Sequence, residues 1–249
     1  GEPFSITARV NWELPGAAVS GGGDLDGSLA RLRFEQVLRM PTPVGIGGVA
    51  RLWGDAPEII AEARWTDLRR QLGDDAELVL ESDQGRLKVR GWIDRLVAEL
   101  NAGVRLKDWP RAEARVVAEG SVRQLDLRQV QIDGFGGQVS GNGRVALGAV
   151  AEEPVTGSLR LAGQGINPVF LDPRLAGQFD FDAGVDFDSA GNFRVSVEGA
   201  SGTLFERPLK ASGVVAREAT LLTFDNVRVN AGVNHVDFSG SWGQRISGN

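Results

Sequence analysis

Apolar residues alternate with polar or small residues over most of the chain, and residues 125–145 show the pattern clearly. Val130 and Ile132 are separated by one glutamine, and Val139 and Val145 continue the pattern after a turn. An alternation with a period of two puts one set of side chains on one face of a β-strand. The glycines between the two strands indicate a turn, because glycine adopts positive φ without steric cost. This stretch therefore predicts a β-hairpin with one apolar face.

The hairpin pattern recurs along the chain. Residues 222–242 repeat the apolar phase of residues 125–145 without a gap, and partial copies occupy residues 32–52 and 78–93. Few residues are identical between the copies, but the apolar positions are kept. A unit of hairpin size that returns roughly every 50 residues is typical of a repeat architecture. The repeats predict a sheet that grows along one axis.

The apolar phase slips by one residue at the same place in two copies, between Leu127 and Val130 and between Phe224 and Val227. Such a slip sends the following side chains to the other face unless the strand is bulged. We therefore expect a β-bulge at each place, which keeps one face apolar along a bent strand. Glycines within the second strand of the unit, such as Gly143, favour a sheet that curls.

Alternation predicts strands in much of the remaining chain as well. One segment, residues 59–65, also fits a helix when it is read with Leu68 and Leu72, and we prefer a strand because its neighbours are strands. The other predicted strands cover residues 4–12, 29–34, 44–53, 77–80, 86–93, 97–106, 112–117, 155–161, 178–188 and 192–199.

The connections between these strands are rich in glycine, proline and aspartate. The glycine-rich residues 15–26 are interpreted as a turn or loop, and residues 82–85 as a turn. Pro168 and Pro173 allow at most one helical turn between them. No linker divides the chain, so residues 1–249 are predicted to form one continuous domain, cut from a longer chain. The predicted fold is all-β: an elongated, curled antiparallel β-sheet of hairpin repeats with a hydrophobic interior groove.

Composition narrows the function. Glycine contributes 34 of the 249 residues, about twice the average usage of roughly 7 %, as expected for many turns. The net charge of −6 comes from interspersed acids and bases, which does not suit a nucleic-acid surface. There is no cysteine, which excludes disulfides and thiolate metal sites. No apolar run reaches the roughly 18–20 residues of a membrane-spanning helix.

The sequence offers no convincing catalytic or metal site. Asp180, Asp182, Asp186 and Asp188 suggest a calcium site, but alternation along a strand spaces carboxylates over one face instead of around a point. A solvated outer face is the preferred interpretation. His235 is the one histidine and has no partner at an informative spacing, so a surface histidine is preferred over a catalytic base. We therefore predict no enzyme activity, no cofactor and no metal.

The apolar stripe itself has two interpretations. It is either the closed core of an ordinary sandwich or barrel, or the lining of an open trough whose exposed apolar surface takes a ligand or partner. The residues predicted to line the groove are Phe34, Leu125, Leu127, Val130, Ile132, Val139, Phe179, Phe181, Val185, Phe187, Phe193, Val195, Leu222, Phe224, Val227, Val229, Val236, Phe238 and Trp242.

Several short phrases spread over the chain resemble the TamB family of the AsmA-like superfamily of Gram-negative envelope proteins. None is a catalytic signature, and the resemblance lies in their order. The phrases are ARWTDL at 63–68, SDQGRLKVRG at 82–91, DWP at 108–110, GQGINP at 163–168, GTL at 202–204 with RPL at 207–209, and NHVDFSGSW at 234–242.

The resemblance implies a long U-shaped β-sheet, or β-taco, with a hydrophobic interior in the periplasm. Family members are anchored in the inner membrane by an N-terminal helix and meet the outer-membrane barrel TamA through a C-terminal domain, so this chain is expected to be an interior segment. The family is implicated in outer-membrane biogenesis, through assembly of autotransporter-type barrels and through phospholipid movement.

Three functions remain open at this point. The favoured one is a passive conduit whose partners are phospholipid acyl chains. The alternatives are a chaperone-like scaffold that binds client β-strands at its edges, and a rigid spacer with a closed, dry core.

Overall fold

A computed structural model describes residues 4–14, 19–39, 43–54, 56–71, 79–106, 109–148, 154–170 and 172–243 of the protein. The described residues form strands throughout, with a single 3-10 turn at Pro168–Phe170. The strands are β1 (Ser5–Leu14), β2 (Val19–Ser28), β3 (Arg31–Arg39), β4 (Val44–Arg51), β5 (Glu58–Gln71), β6 (Val79–Trp92), β7 (Arg95–Leu106), β8 (Ala112–Gly120), β9 (Gln124–Gly134), β10 (Gly137–Ala146), β11 (Thr156–Ile166), β12 (Gly177–Asp188), β13 (Phe193–Leu204), β14 (Arg207–Glu218), β15 (Leu221–Ala231) and β16 (Asn234–Trp242).

All sixteen strands belong to one sheet, and their order in the sheet is their order in the chain. Every strand pairs antiparallel with the strands that precede and follow it, as in β9 with β10 and β12 with β13. Within the described residues, β1 and β16 have one neighbour each, so the sheet is open and not curled into a closed tube. The prediction of an all-β, elongated antiparallel sheet built from hairpins is confirmed.

Burial follows the alternation of the sequence. In β3 the side chains alternate between exposed and buried or partly buried from Arg31 to Arg39. In β12, Phe179 and Phe181 are partly buried whereas Asp180 and Asp182 are exposed. Successive side chains of a strand point to opposite faces, so one face of this sheet collects the apolar residues and the other the charged ones.

Both predicted bulges are confirmed. The register of β9 against β10 shifts between Gly141 and Gly143, opposite the slip between Leu127 and Val130. The register of β15 against β16 shifts between Phe224 and Val227, and Asn226 has a positive φ of 50° there. The extra residue in each strand returns the following apolar side chains to the same face.

Two predictions about the connections are wrong. The glycine-rich residues 15–26 are not a loop over their whole length, because Val19–Ser28 forms β2, paired with β1 and β3 on its two sides. The predicted turn at residues 82–85 lies inside β6, where the register against β7 shifts between Glu81 and Gln84. Cross-strand pairing outweighs the low strand propensity of these residues.

Two further predictions hold. Residues 59–65 belong to the strand β5, as preferred over a helix. The helical turn between Pro168 and Pro173 is the 3-10 turn at Pro168–Phe170. The predicted separation of two strands at residues 40–43 falls largely outside the described residues.

The sheet is a single layer. All substantial contacts between elements join neighbouring strands, apart from the contact of β12 with the 3-10 turn. Its accessible surface is 16480 Å² for 26.6 kDa, compared with about 10,700 Å² expected for a compact monomer of this mass. In the described part of the chain no large side chain is completely buried. Within the described ranges the apolar residues therefore do not enclose a second layer or a dry core.

Small-angle scattering checks this shape. Sixteen strands at a spacing of about 4.8 Å give a sheet roughly 72 Å long, so we expect a radius of gyration of about 23 Å. A compact protein of this length would give about 18 Å. A measured value near 18 Å would contradict the extended single layer.

Candidate functional site

The apolar face of the sheet consists of four rows of opposed residues. Three of them cross all sixteen strands in register, and the fourth is interrupted between Gly213 and Val227, where the register of β14 against β15 shifts. We name each row by its residue in β1: the Ile6, Ala8, Val10 and Trp12 rows. The Trp12 row is unbroken and entirely apolar: Trp12, Gly21, Leu38, Val44, Trp65, Gly85, Ala102, Ala114, Ile132, Val139, Gly163, Phe181, Ala200, Ala211, Val229 and Val236.

The Ala8 row is also unbroken and apolar. It runs through Ala8, Leu25, Phe34, Gly48, Ala61, Val89, Ala98, Ala118, Leu127, Gly143, Leu159, Val185, Val195, Val215, Phe224 and Gly240. The bulges keep the row intact, because Leu127 and Phe224 would otherwise point to the opposite face.

The two remaining rows each contain one polar residue. The Ile6 row ends at Trp242 and includes Arg217, which lies between Phe193 and Leu222. The Val10 row ends at Phe238 and includes Gln36.

All the residues predicted to line a groove lie on this one face. The Ile6 row holds Leu125, Phe187, Phe193, Leu222 and Trp242; the Ala8 row Phe34, Leu127, Val185, Val195 and Phe224; the Val10 row Val130, Val227 and Phe238; the Trp12 row Ile132, Val139, Phe181, Val229 and Val236. Phe179 lies just beside the Trp12 row, opposite Ile166 and Gly202.

Aromatic rings cover glycines of the neighbouring strand on this face. A Cβ added to Gly163 would overlap the ring of Phe181, and one added to Gly85 would overlap the indole of Trp65. In each pair the two residues are directly opposed. The same arrangement joins Trp12 to Gly21, Phe34 to Gly48 and Phe187 to Gly157. A ring over a glycine shields the backbone and fills the gap left by the missing side chain, so the apolar surface is continuous.

Leucines use glycines in the same way. A Cβ at Gly141 would lie 2.8 Å from Leu161 Cδ2, and one at Gly143 would lie 2.7 Å from Leu159 Cδ2. The sequence suggested only that these glycines help the sheet to curl. The structure gives them a packing role, because an added Cβ would meet the backbone of β11 first, at the Arg160 and Ser158 carbonyl oxygens, and then these leucines.

Polar groups on the apolar face are few and mostly paired within the protein. Trp12 Nε1 donates to Gln36 Oε1 at 3.3 Å, and Trp65 Nε1 donates to Ser82 Oγ at 2.9 Å. Ser82 Oγ donates in turn to the Gln84 carbonyl at 3.2 Å. Gln36 Nε2 is the buried side-chain nitrogen without a partner among the described residues.

The opposite face carries many exposed ion pairs between neighbouring strands. Arg9 pairs with Asp24 and Arg144 with Asp126, both at 2.9 Å. Exposed pairs of this kind contribute little to stability individually. They keep this face solvated, so the sheet is amphipathic across its thickness.

One carboxyl on this face is held by two arginines. Arg86 Nη2 lies 2.6 Å from Glu62 Oε2, and Arg64 also pairs with Glu62. The hydrogen bond from Arg86 is the main cause that lowers the pKa of Glu62 from 4.5 to about 2. A lowered pKa means that the ionised carboxyl is favoured in the folded state.

We expect Arg86→Gln to bring the pKa of Glu62 back toward 4.5. A depressed carboxyl pKa contributes stability that is fully present above the unfolded value and is lost as the pH falls through the folded value. The difference in urea midpoint between wild type and Arg86→Gln should therefore shrink between pH 4.5 and 2. Carbon-detected NMR titration of Glu62 reports the pKa directly. Arg115→Gln is the control, and an equal pH dependence in that variant would contradict the assignment.

The aspartates considered for calcium lie apart from one another on the charged face. Asp182 is opposite Ala162 and Gly199, and Asp186 is opposite Ser158 and Arg194. No group of three metal-binding side chains gathers among the described residues.

His235 has polar neighbours that the sequence did not reveal. Its Nε2 lies 2.9 Å from Asp237 Oδ2, and its Nδ1 contacts Asn230 Oδ1. Asn230 is directly opposite His235 in β15, a relation that appears only once the register is known. The group is exposed.

Comparison with known proteins identifies the family of the chain. No curated protein and no solved structure matches the chain. No helix in the described part is long and apolar enough to cross a membrane. The family described as "TamB, N-terminal domain" matches residues 5–249. The match extends over the whole sixteen-stranded sheet, and this chain belongs to the TamB family.

Proposed function

We propose that the apolar face is a passive conduit in the periplasm that carries phospholipid acyl chains between the inner and outer membranes. The observation that supports it best is continuity: the Ala8 and Trp12 rows cross all sixteen strands without a polar residue. An acyl chain gains roughly 0.8 kcal/mol for each methylene that leaves water. A continuous row lets it move along the sheet without crossing a polar step.

The single layer supports the same proposal. No second sheet covers the face in the described part of the chain, so a ligand has access to it. The phospholipid head group would stay in water at the margin of the sheet while the acyl chains lie on the rows. This role needs no catalytic residue, and interaction with a TamA-type outer-membrane barrel and with the inner membrane would use other parts of the protein.

A second candidate is a scaffold for assembly and secretion of outer-membrane barrels. It is supported by the edges of the sheet, since β1 and β16 each have one strand neighbour among the described residues. Val236, Phe238 and Trp242 of β16 are exposed as well. A client strand would pair with such an edge through backbone hydrogen bonds. A rigid spacer with a dry core has less support, because the described residues form one layer.

Mass spectrometry of organic extracts from the purified chain separates the two candidates. The conduit predicts phospholipid that remains bound through purification, and protein free of lipid would contradict it. Asp237→Pro and Gly240→Pro in β16 are informative variants, because successive residues direct their N–H groups to opposite sides of a strand. The proline variant whose replaced N–H points away from β15 should keep the fold and the bound lipid. The scaffold is the function if this variant loses client binding and the wild-type protein carries no lipid.

A further inference from the structure

The charged face of the sheet contains an apolar cleft over β4–β7, with a volume of about 770 Å³. Its apolar walls come from Val49, Ile60 and Val97. Val49 lies directly opposite Ile60, and Val97 lies two strands beyond Ile60, with Arg90 of β6 between them. Ile60 and Val97 are 44 % and 39 % exposed. Apolar side chains grouped on an otherwise ion-paired face mark a place where something binds.

A glycine creates the space in this cleft. A Cβ at Gly47 would have no atom nearer than the Phe34 carbonyl at 3.9 Å, and Gly45 is similarly open, with its nearest atom at 4.0 Å. The adjacent Gly48 faces the other side of the sheet, where the Phe34 ring covers it. Gly45 and Gly47 on the charged face therefore leave unfilled volume, whereas Gly48 on the apolar face is already packed against the Phe34 ring.

The lining carries more cations than anions. Arg86, Lys88, Arg90 and Arg95 line the cleft together with Glu62 and Glu99, a surplus of two positive charges on a chain whose net charge is −6.

Two of the cations are already paired and two are not. Arg86 binds Glu62 at 2.6 Å, and Arg90 binds Glu58 at 2.9 Å. Lys88 and Arg95 take part in none of the ion pairs found among the described residues. They are available to an acidic partner.

We propose that this cleft docks an acidic segment of a partner protein. A bulky apolar side chain would sit over Gly47 beside Val49 and Ile60, with flanking carboxylates at Lys88 and Arg95. The two glutamates argue against an anionic membrane surface, because they would repel a sheet of phosphates, whereas a peptide places its charges at chosen positions. The proposal concerns the face opposite the lipid rows and is independent of the conduit.

The test uses a fluorescein-labelled hexapeptide, Asp-Glu-Leu-Phe-Glu-Asp, and fluorescence anisotropy with the full chain. Gly47→Val places a side chain in the cleft, with its Cβ no nearer than 3.9 Å to another residue, and we expect it to weaken binding at least tenfold. Gly45→Val is the matched control, since Gly45 lies two residues away in the same strand and outside the lining, and it should stay within twofold of wild type. Circular dichroism should show both variants to be folded.

Charge reversal gives an independent readout. Lys88→Glu combined with Arg95→Glu should reverse the preference, so that the peptide Lys-Arg-Leu-Phe-Arg-Lys binds more tightly than the acidic one. Equal binding of the acidic peptide to wild type and Gly47→Val would overturn the proposal, as would equal binding of acidic and basic peptides to wild type. Vesicles of phosphatidylglycerol and phosphatidylcholine are the remaining probe. If Gly47→Val reduces vesicle binding and no peptide binds, the occupant is a membrane and the proposal is wrong.

Discussion

Phe181→Asp is expected to stop lipid transfer while the sheet stays folded. Phe181 lies in the Trp12 row, with its ring over Gly163, and no second layer covers it in the described part of the chain. The new carboxylate can therefore reach water, and the loss of a partly exposed ring costs about 1–2 kcal/mol. An acidic side chain amid hydrocarbon costs about 2.5–3.5 kcal/mol on insertion scales, so we expect transfer to fall at least tenfold.

Movement of a fluorescent phospholipid between vesicles measures the transfer, and thermal unfolding measures the fold. Asp182→Asn is the matched control, because Asp182 is the next residue and lies on the charged face. It should change neither quantity. Photo-crosslinkers at positions 181 and 182 in cells add a direct test, since lipid adducts should form from 181 alone. Complete unfolding of Phe181→Asp would favour a dry core, and normal transfer by a folded variant would exclude this face as the conduit.

The apolar rows could be predicted from the sequence because strand geometry is local. A period of two fixes which residues share a face. The slip in the apolar phase between Leu127 and Val130 predicted the bulge that keeps the following apolar residues on the same face. Each strand could therefore be assigned a groove-facing set without any knowledge of its neighbours. Hairpin connections then order the strands, since each pairs with the next along the chain.

Features that depend on two strands at once could not be predicted. β2 is rich in glycine and resembles a loop, yet it is a strand because β1 and β3 pair with it on both sides. Ser82 belongs to a typical turn sequence, but it is buried within β6 and accepts a hydrogen bond from Trp65. In both cases pairing with the neighbouring strands overrides the local preference.

The ring-over-glycine pairs are of the same kind. Nothing near Trp65 indicates that Gly85 will lie opposite it, and only the register of β5 against β6 brings the two together. The cleft on the charged face could not be predicted from the sequence for a related reason. Gly45, Gly47 and Gly48 look alike in the sequence, and their different surroundings follow from the face that each one occupies.

Gly163→Val should destabilise the sheet, whereas Gly184→Val should not. A Cβ at Gly163 would overlap the ring of Phe181, so the ring must move or the strands must separate, at a cost of about 1–3 kcal/mol. Gly184 lies on the other face of β12 with no atom within 4 Å of an added Cβ, and valine there gains strand propensity of up to about 1 kcal/mol. Urea unfolding of both variants gives the comparison of their free energies of unfolding.

Phe181→Ala combined with Gly163→Val should recover most of the lost stability, because the alanine removes the ring that the valine meets. The double-mutant cycle then yields a coupling energy of at least about 1 kcal/mol. Equal stability of the two valine variants, or additive effects in the cycle, would show that the rings do not rest on the glycines.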